Sequence, residues 1–296
     1  ALHVQTSLQQ PAAQTAHQRQ NSMAGLNIAF IPIDNRPVCY TLAQQIAAID
    51  RDLALFLPPR EMLGDLNRSA DINGIFSWLK KLENIDSIVV SLDTIAYGGL
   101  IPSRRSSETF EEIKKRMESF FALLREKNAK VYAFSSIMRI SNNNINEEEK
   151  EYWKDWGKKI FEYSYSGVND GIPQAILDDY LATRKRNFEI NKTYLNWGLN
   201  TLIFSKDDCA PKGFNVDEAR ELERLGAKTK TGADEILLTL LARAIEKEIK
   251  VFLEFTELIK SNILVHIIAC HIHICFPPWS QIKTLIKCHR KLLLLT

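Results

Sequence analysis

The sequence predicts an α/β fold of parallel strands alternating with helices. Three observations carry it. Short, continuous apolar runs recur along the chain, as in strands buried on both faces. Segments of helical period separate them, the pattern of right-handed βαβ units. Each apolar run also ends in a polar cluster, and α/β folds keep their working groups just beyond the carboxyl ends of the strands. About six strands are visible. They fit a TIM-barrel-like arrangement that is incomplete, or an open doubly wound sheet.

The elements follow in order. Strands are expected near 27–33, 53–57, 86–92, 130–136, 201–205 and 228–231. A first helix falls at about 40–50, and ADINGIFSWLKKL (70–82) is amphipathic. Residues 108–127 give the clearest helix, with Phe110, Ile113, Met117, Phe120, Phe121 and Leu124 on one stripe. Thr109 and Glu112 have capping-box spacing at its start. Residues 147–163 set Tyr152, Trp153, Trp156 and Ile160 on one face, with Asn146 as the expected cap. Pro173 opens a further long helix. Helices at 216–225 and 234–250 end the regular pattern.

Three regions result: a tail at 1–22, an α/β domain at 23–250, and an atypical segment at 251–296. The tail holds six Gln and no acidic residue, a composition that does not build a core. Met23 is a candidate for the original start. The last segment carries four of the six histidines and three of the five cysteines. Cys270, His271, His273, Cys275, Cys288 and His289 match no common zinc spacing, so no metal site is assigned.

The formal net charge of +2 gives no pull toward nucleic acid or a membrane surface. No apolar stretch is long enough to span a bilayer, and no secretory signal pattern opens the chain. An odd number of cysteines without a CxxC pair argues against a disulfide framework. The expected compartment is the cytoplasm.

Five motifs hold the candidate chemistry. In IPIDNRP, prolines stiffen the chain around Asp34, Asn35 and Arg36, whose guanidinium suits a carboxylate or phosphate. An internal Asp34–Arg36 contact is the equal alternative. In SLDTIAYGGLIPSRR, Gly98 and Gly99 allow a close backbone approach, with Asp93, Tyr97 and Arg104 around them. Neither a P-loop nor a GxGxxG fingerprint is present. FSSIMRISNNN contributes Arg139 and Asn143, the amide suiting a hydroxyl-rich ligand. In FSKDDC, Lys206 precedes the adjacent carboxylates Asp207 and Asp208, a pair fit for acid/base work. In TGADE, Asp234 and Glu235 open a helix, where the helix dipole alone would favour them. No histidine lies between residues 24 and 250, so Ser–His and Cys–His mechanisms are excluded there.

At IPIDNRPVCYTL, LPPREMLGDL, SLDTIAYGGLIPSRR, FSSIMRISNNNINEEEKEYW, FSKDDCAPKGFNVDEARELE and TGADE the chain resembles a largely bacterial family of uncharacterised proteins, nearest its cyanobacterial-type members. The resemblance covers about residues 23–245 and implies no settled activity. It implies a truncated member, with 251–296 in place of a longer C-terminal portion. TGADE and SKDD also resemble, at dipeptide level, the carboxylate pairs of two hexosaminidase families.

The expected function is therefore a hydrolase acting on a small-molecule or saccharide-like substrate, without cofactor. Asp207 and Asp208 are its acid/base pair, Asp234 and Glu235 assist as further catalytic candidates, and the remaining candidates line the pocket. A non-catalytic binding protein is one alternative. A Mg²⁺- or Mn²⁺-dependent enzyme using Asp34, Asp93, Asp207 and Asp208 is the other.

Overall fold

The computed structural model describes residues 25–207 and 211–253. Two compact units divide the chain, one up to Leu237 and one from Leu238. The first holds a six-stranded, wholly parallel sheet in the order β2-β1-β3-β4-β5-β6. Its strands are β1 (Leu26–Ile31), β2 (Leu53–Phe56), β3 (Ser87–Ser91), β4 (Lys130–Ile137), β5 (Thr201–Lys206) and β6 (Lys228–Thr231). The sheet is open: β2 and β6 are its edges, and no pairing among the described residues closes it into a barrel.

The strands read as apolar runs because both faces are covered. Ile28 through Ile31 and Ile88 through Val90 are all fully buried. Alternate residues of adjacent strands share a face, so Ala29, Ile31, Ile88, Val90, Val131, Ala133 and Phe204 belong to one core. Phe30, Val89, Tyr132 and Phe134 point the other way and are equally buried.

The helices are α1 (Thr41–Ala47), α2 (Ile72–Lys81), α3 (Leu92–Tyr97), α4 (Leu100–Arg105), α5 (Phe110–Lys127), α6 (Trp153–Ser166), α7 (Gln174–Tyr194), α8 (Phe214–Arg224) and α9 (Asp234–Leu253). Strand order reverses at β1. Right-handed crossovers therefore send α1 to one face and α2, α5, α7 and α8 to the other. The core on that second face contains Ile75 and Leu79 of α2 with Ile113, Met117, Phe120 and Leu124 of α5. Each such buried side chain contributes about 1.5–3 kcal/mol. Thr109 caps α5 in the expected box: it accepts from the Glu112 amide while the Glu112 carboxylate accepts from the Thr109 amide.

Two segments depart from expectation. Residues 92–105, where no helix is expected, are two short helices broken at Gly98 and Gly99, whose φ values are +86° and +134°. Leu92, Ile95 and Ala96 are fully buried, so packing makes α3 helical despite its length. The helix expected from 147 starts at Trp153, and Asn146 does not cap it. The carbonyl oxygens of Asn146, Glu147 and Glu149 accept instead from Arg105, so that backbone does not run on as a helix. The Cys/His-rich segment and Asp208 lie outside the described residues.

Candidate functional site

The carboxyl ends of all six strands deliver residues to one cleft of about 600 Å³, above the point where strand order reverses. Asp34 and Arg36 come from β1, and Gly64 and Asp65 from the loop after β2. Gly98, Gly99 and Pro102 follow β3, while Arg139 and Glu148 follow β4. Asp207 follows β5, and Gly232, Asp234 and Glu235 follow β6.

Glycines let these loops meet. A Cβ on Gly64 would stand 2.5 Å from the Gly98 carbonyl oxygen. A Cβ on Gly98 would stand 2.8 Å from that of Ser69. Backbone bonds close the same seam: the Asn35 amide donates to Gly64 at 3.0 Å, and the Ala70 amide donates to Gly98 at 2.9 Å. Asn35 thus serves mainly through its backbone, since its carbonyl also accepts from Arg60 Nε at 2.8 Å.

Two guanidiniums organise the walls. Arg36 donates from Nε to Asp34 at 2.8 Å, and its two terminal nitrogens fork onto Asp234 at 3.0 and 2.5 Å. The Asp34–Arg36 contact read as an alternative is therefore formed, and the same side chain also reaches 198 residues along the chain. Partial burial works against the charge of Arg36, but Asp34 and Asp234 more than offset it and keep the group protonated. The neighbouring Cys39 thiol is pushed far up by burial and by those two carboxylates, which disfavours the thiolate. Arg139, also on the cleft lining, donates to Asp207 at 3.2 Å and pairs with Glu148 at 2.5 Å. Burial opposes its charge too, and Glu148, Glu149 and Asp207 outweigh that cost.

Other candidates lie beneath the cleft or beside it. Asp93 is 2% exposed. Its carboxylate accepts from the Ser136 amide at 2.8 Å and from Ser135 Oγ at 3.3 Å, tying α3 to β4. Burial pushes its carboxyl up to about 6, while those hydrogen bonds and Arg104 pull the other way. Tyr97 is also buried and borders a smaller neighbouring hollow rather than the main cleft. Arg104 is 1% exposed and donates to Glu149 at 3.0 Å. Asn143 accepts from the Ile145 amide in a local turn. Lys206 ends β5, where its carbonyl accepts from the Gly232 amide at 2.8 Å.

Asp65 and Glu148 line the cleft without having been singled out from sequence. Glu148 sits in an acidic run that reads equally well as a helix start. No group of three or more His, Cys, Asp or Glu among the described residues is arranged to hold a metal ion. No described helix is long and apolar enough to cross a membrane.

No curated protein and no solved structure matches this chain. A family model described as a protein of unknown function, DUF4127, matches residues 28–256, and the chain belongs to that family.

Proposed function

We propose that this chain is a hydrolase domain acting on a carbohydrate-like substrate through strand-end carboxylates, without a cofactor. One observation carries the reading: five of the six strand ends supply charged side chains to a single cleft of about 600 Å³. Its charged lining is six carboxylates against two guanidiniums, a formal excess of four negative charges. That balance disfavours phosphates and nucleotides and favours a neutral, hydroxyl-rich ligand, for which carboxylates accept and guanidiniums donate.

Asp207, oriented by Arg139, is the base: it takes a proton from water as the water oxygen bonds to the anomeric carbon. A second carboxyl group gives a proton to the departing glycosidic oxygen as its bond to that carbon breaks. Asp208 is the proposed donor on sequence grounds. Asp34, Arg36, Asp234 and Glu235, on the same cleft lining, hold the sugar.

A non-catalytic saccharide-binding site is the second reading. It is favoured by the ion pairing of Asp34 and Asp234 with Arg36, and of Asp207 and Glu148 with Arg139. A glycoside panel assayed alongside calorimetric binding separates the two. Hydrolysis that falls at least about a hundredfold in a folded Asp207→Asn variant supports the enzyme. Saccharide binding without turnover supports the second reading, and neither activity sinks both.

A further inference from the structure

The two arginines that close α4 grip the loop after β4. Arg105 takes its backbone, donating to the carbonyl oxygens of Asn146, Glu147 and Glu149. Arg104 takes its side chains, with Nη1 at 3.0 Å from the Glu149 carboxylate and 3.4 Å from that of Glu148. Glu149 is 5% exposed, and Arg139 Nε lies 3.7 Å from the same carboxylate oxygen, Oε1, that Arg104 contacts. Arg139 in turn contacts Asp207. An unbroken series of charged contacts thus runs from α4, below the cleft, to a carboxylate on its wall.

A buried carboxylate contacted by two guanidiniums is stable only while both remain in place. Burial pushes the Glu149 carboxyl up, and Arg104 and then Arg139 draw it back toward the ionised form. The shorter contacts of Arg139, to Glu148 at 2.5 Å and Asp207 at 3.2 Å, are both to partly exposed carboxylates. Arg139 is itself partly exposed, and its Nε has no hydrogen-bond partner within 3.5 Å. Of its three carboxylate neighbours only Glu149 is buried, and it alone stands against the Nε.

We infer that Glu149, itself held by Arg104, is a positioning residue that fixes Arg139 and through it orients Asp207. The functional weight of this rests on Asp207 being a reacting group, but the positioning can be tested without any substrate. Arginine side-chain NMR of the full chain, with an Arg139→Lys variant to assign the signal, reads the orientation directly. In the wild type, the Arg139 terminal N–H groups should be distinct and in slow exchange. In Glu149→Gln they should collapse to a single averaged signal while the backbone spectrum stays dispersed. Unchanged Arg139 signals would overturn the inference.

If Glu149→Gln does not fold, Arg104→Lys keeps the charge but loses the geometry of the contact, and the same collapse is expected. Where a glycoside is hydrolysed, Glu149→Gln should lower kcat by about ten- to a hundredfold with KM unchanged. Glu149→Asp should recover part of that loss. A raised KM at constant kcat would contradict positioning. An absence of turnover on every glycoside would count against the hydrolase alone and leave the arginine signals to decide this point.

Discussion

Asp93 should make the stability of this domain fall as pH rises from about 4 to about 6. The carboxyl is 2% exposed, and burial, the largest influence on it, pushes it to about 6 from an ordinary value of 3.8. The folded protein therefore holds this proton over a range where the unfolded chain has released it. Unfolding releases the proton there, so raising the pH favours the unfolded state. The stabilisation is fully present below about 4 and lost above about 6. A shift of roughly two units corresponds to about 3 kcal/mol, and a site this buried has little solvent to screen it. Asp93→Asn keeps a carbonyl oxygen for the Ser136 amide but cannot ionise. Urea unfolding of both proteins at several pH values between 4 and 7.5 isolates the effect, because shifts at Glu149 and Glu218 cancel in the difference. The wild type should lose about 3 kcal/mol relative to Asp93→Asn across this window. Parallel curves for the two proteins would refute the argument.

Two further perturbations test the loops that build the cleft. Arg36→Ala removes a partly exposed fork onto Asp234, so global stability should change by less than about 1 kcal/mol. Hydrogen exchange at the Ile236 and Leu237 amides, in the first turn of α9, should nonetheless accelerate; unaltered exchange would show that the fork does not anchor that turn. Gly98→Ala places a side chain at φ +86°, with a Cβ 2.8 Å from that of Ser69 and 3.0 Å from the Ala70 amide. The dihedral alone costs about 1–2 kcal/mol, so calorimetry should show the melting temperature falling by at least about 3 °C.

Much of the fold is legible in the sequence because a sheet buried on both faces leaves a simple record. Ile28–Ile31 and Ser87–Ser91 have no solvent-facing positions, so their runs are continuous and their placement follows. α5 is legible for a separate reason: its stripe and its Thr109–Glu112 box are both local. α3 and α4 are not legible, because six-residue helices have no propensity signal that survives without tertiary packing. Barrel and open sheet also look alike in sequence. They differ only in whether the edge strands pair, and no local pattern in β2 or β6 records that.

The site divides along the same line between local and distant information. A polar residue beyond a strand end can face the cleft or tie two loops together, and the residue types are the same in both cases. Asp34 and Asp207 face the cleft, whereas Asp93, also just past a strand, turns inward onto the Ser136 amide. The difference lies in the backbone that follows each strand. After β3 the chain enters a helix at once, and its first turn points Asp93 back toward β4. After β1 the prolines at 32 and 37 hold an irregular loop that presents Asp34 and Arg36 outward. Arg104 is a pocket candidate in the sequence, but in the fold it and Arg105 clamp the β4 loop and so set where Arg139 and Glu148 stand. A cleft assembled from six separate loops needs such groups beneath it. Some of the polar residues that a strand-end pattern picks out must therefore support the site rather than touch what it binds.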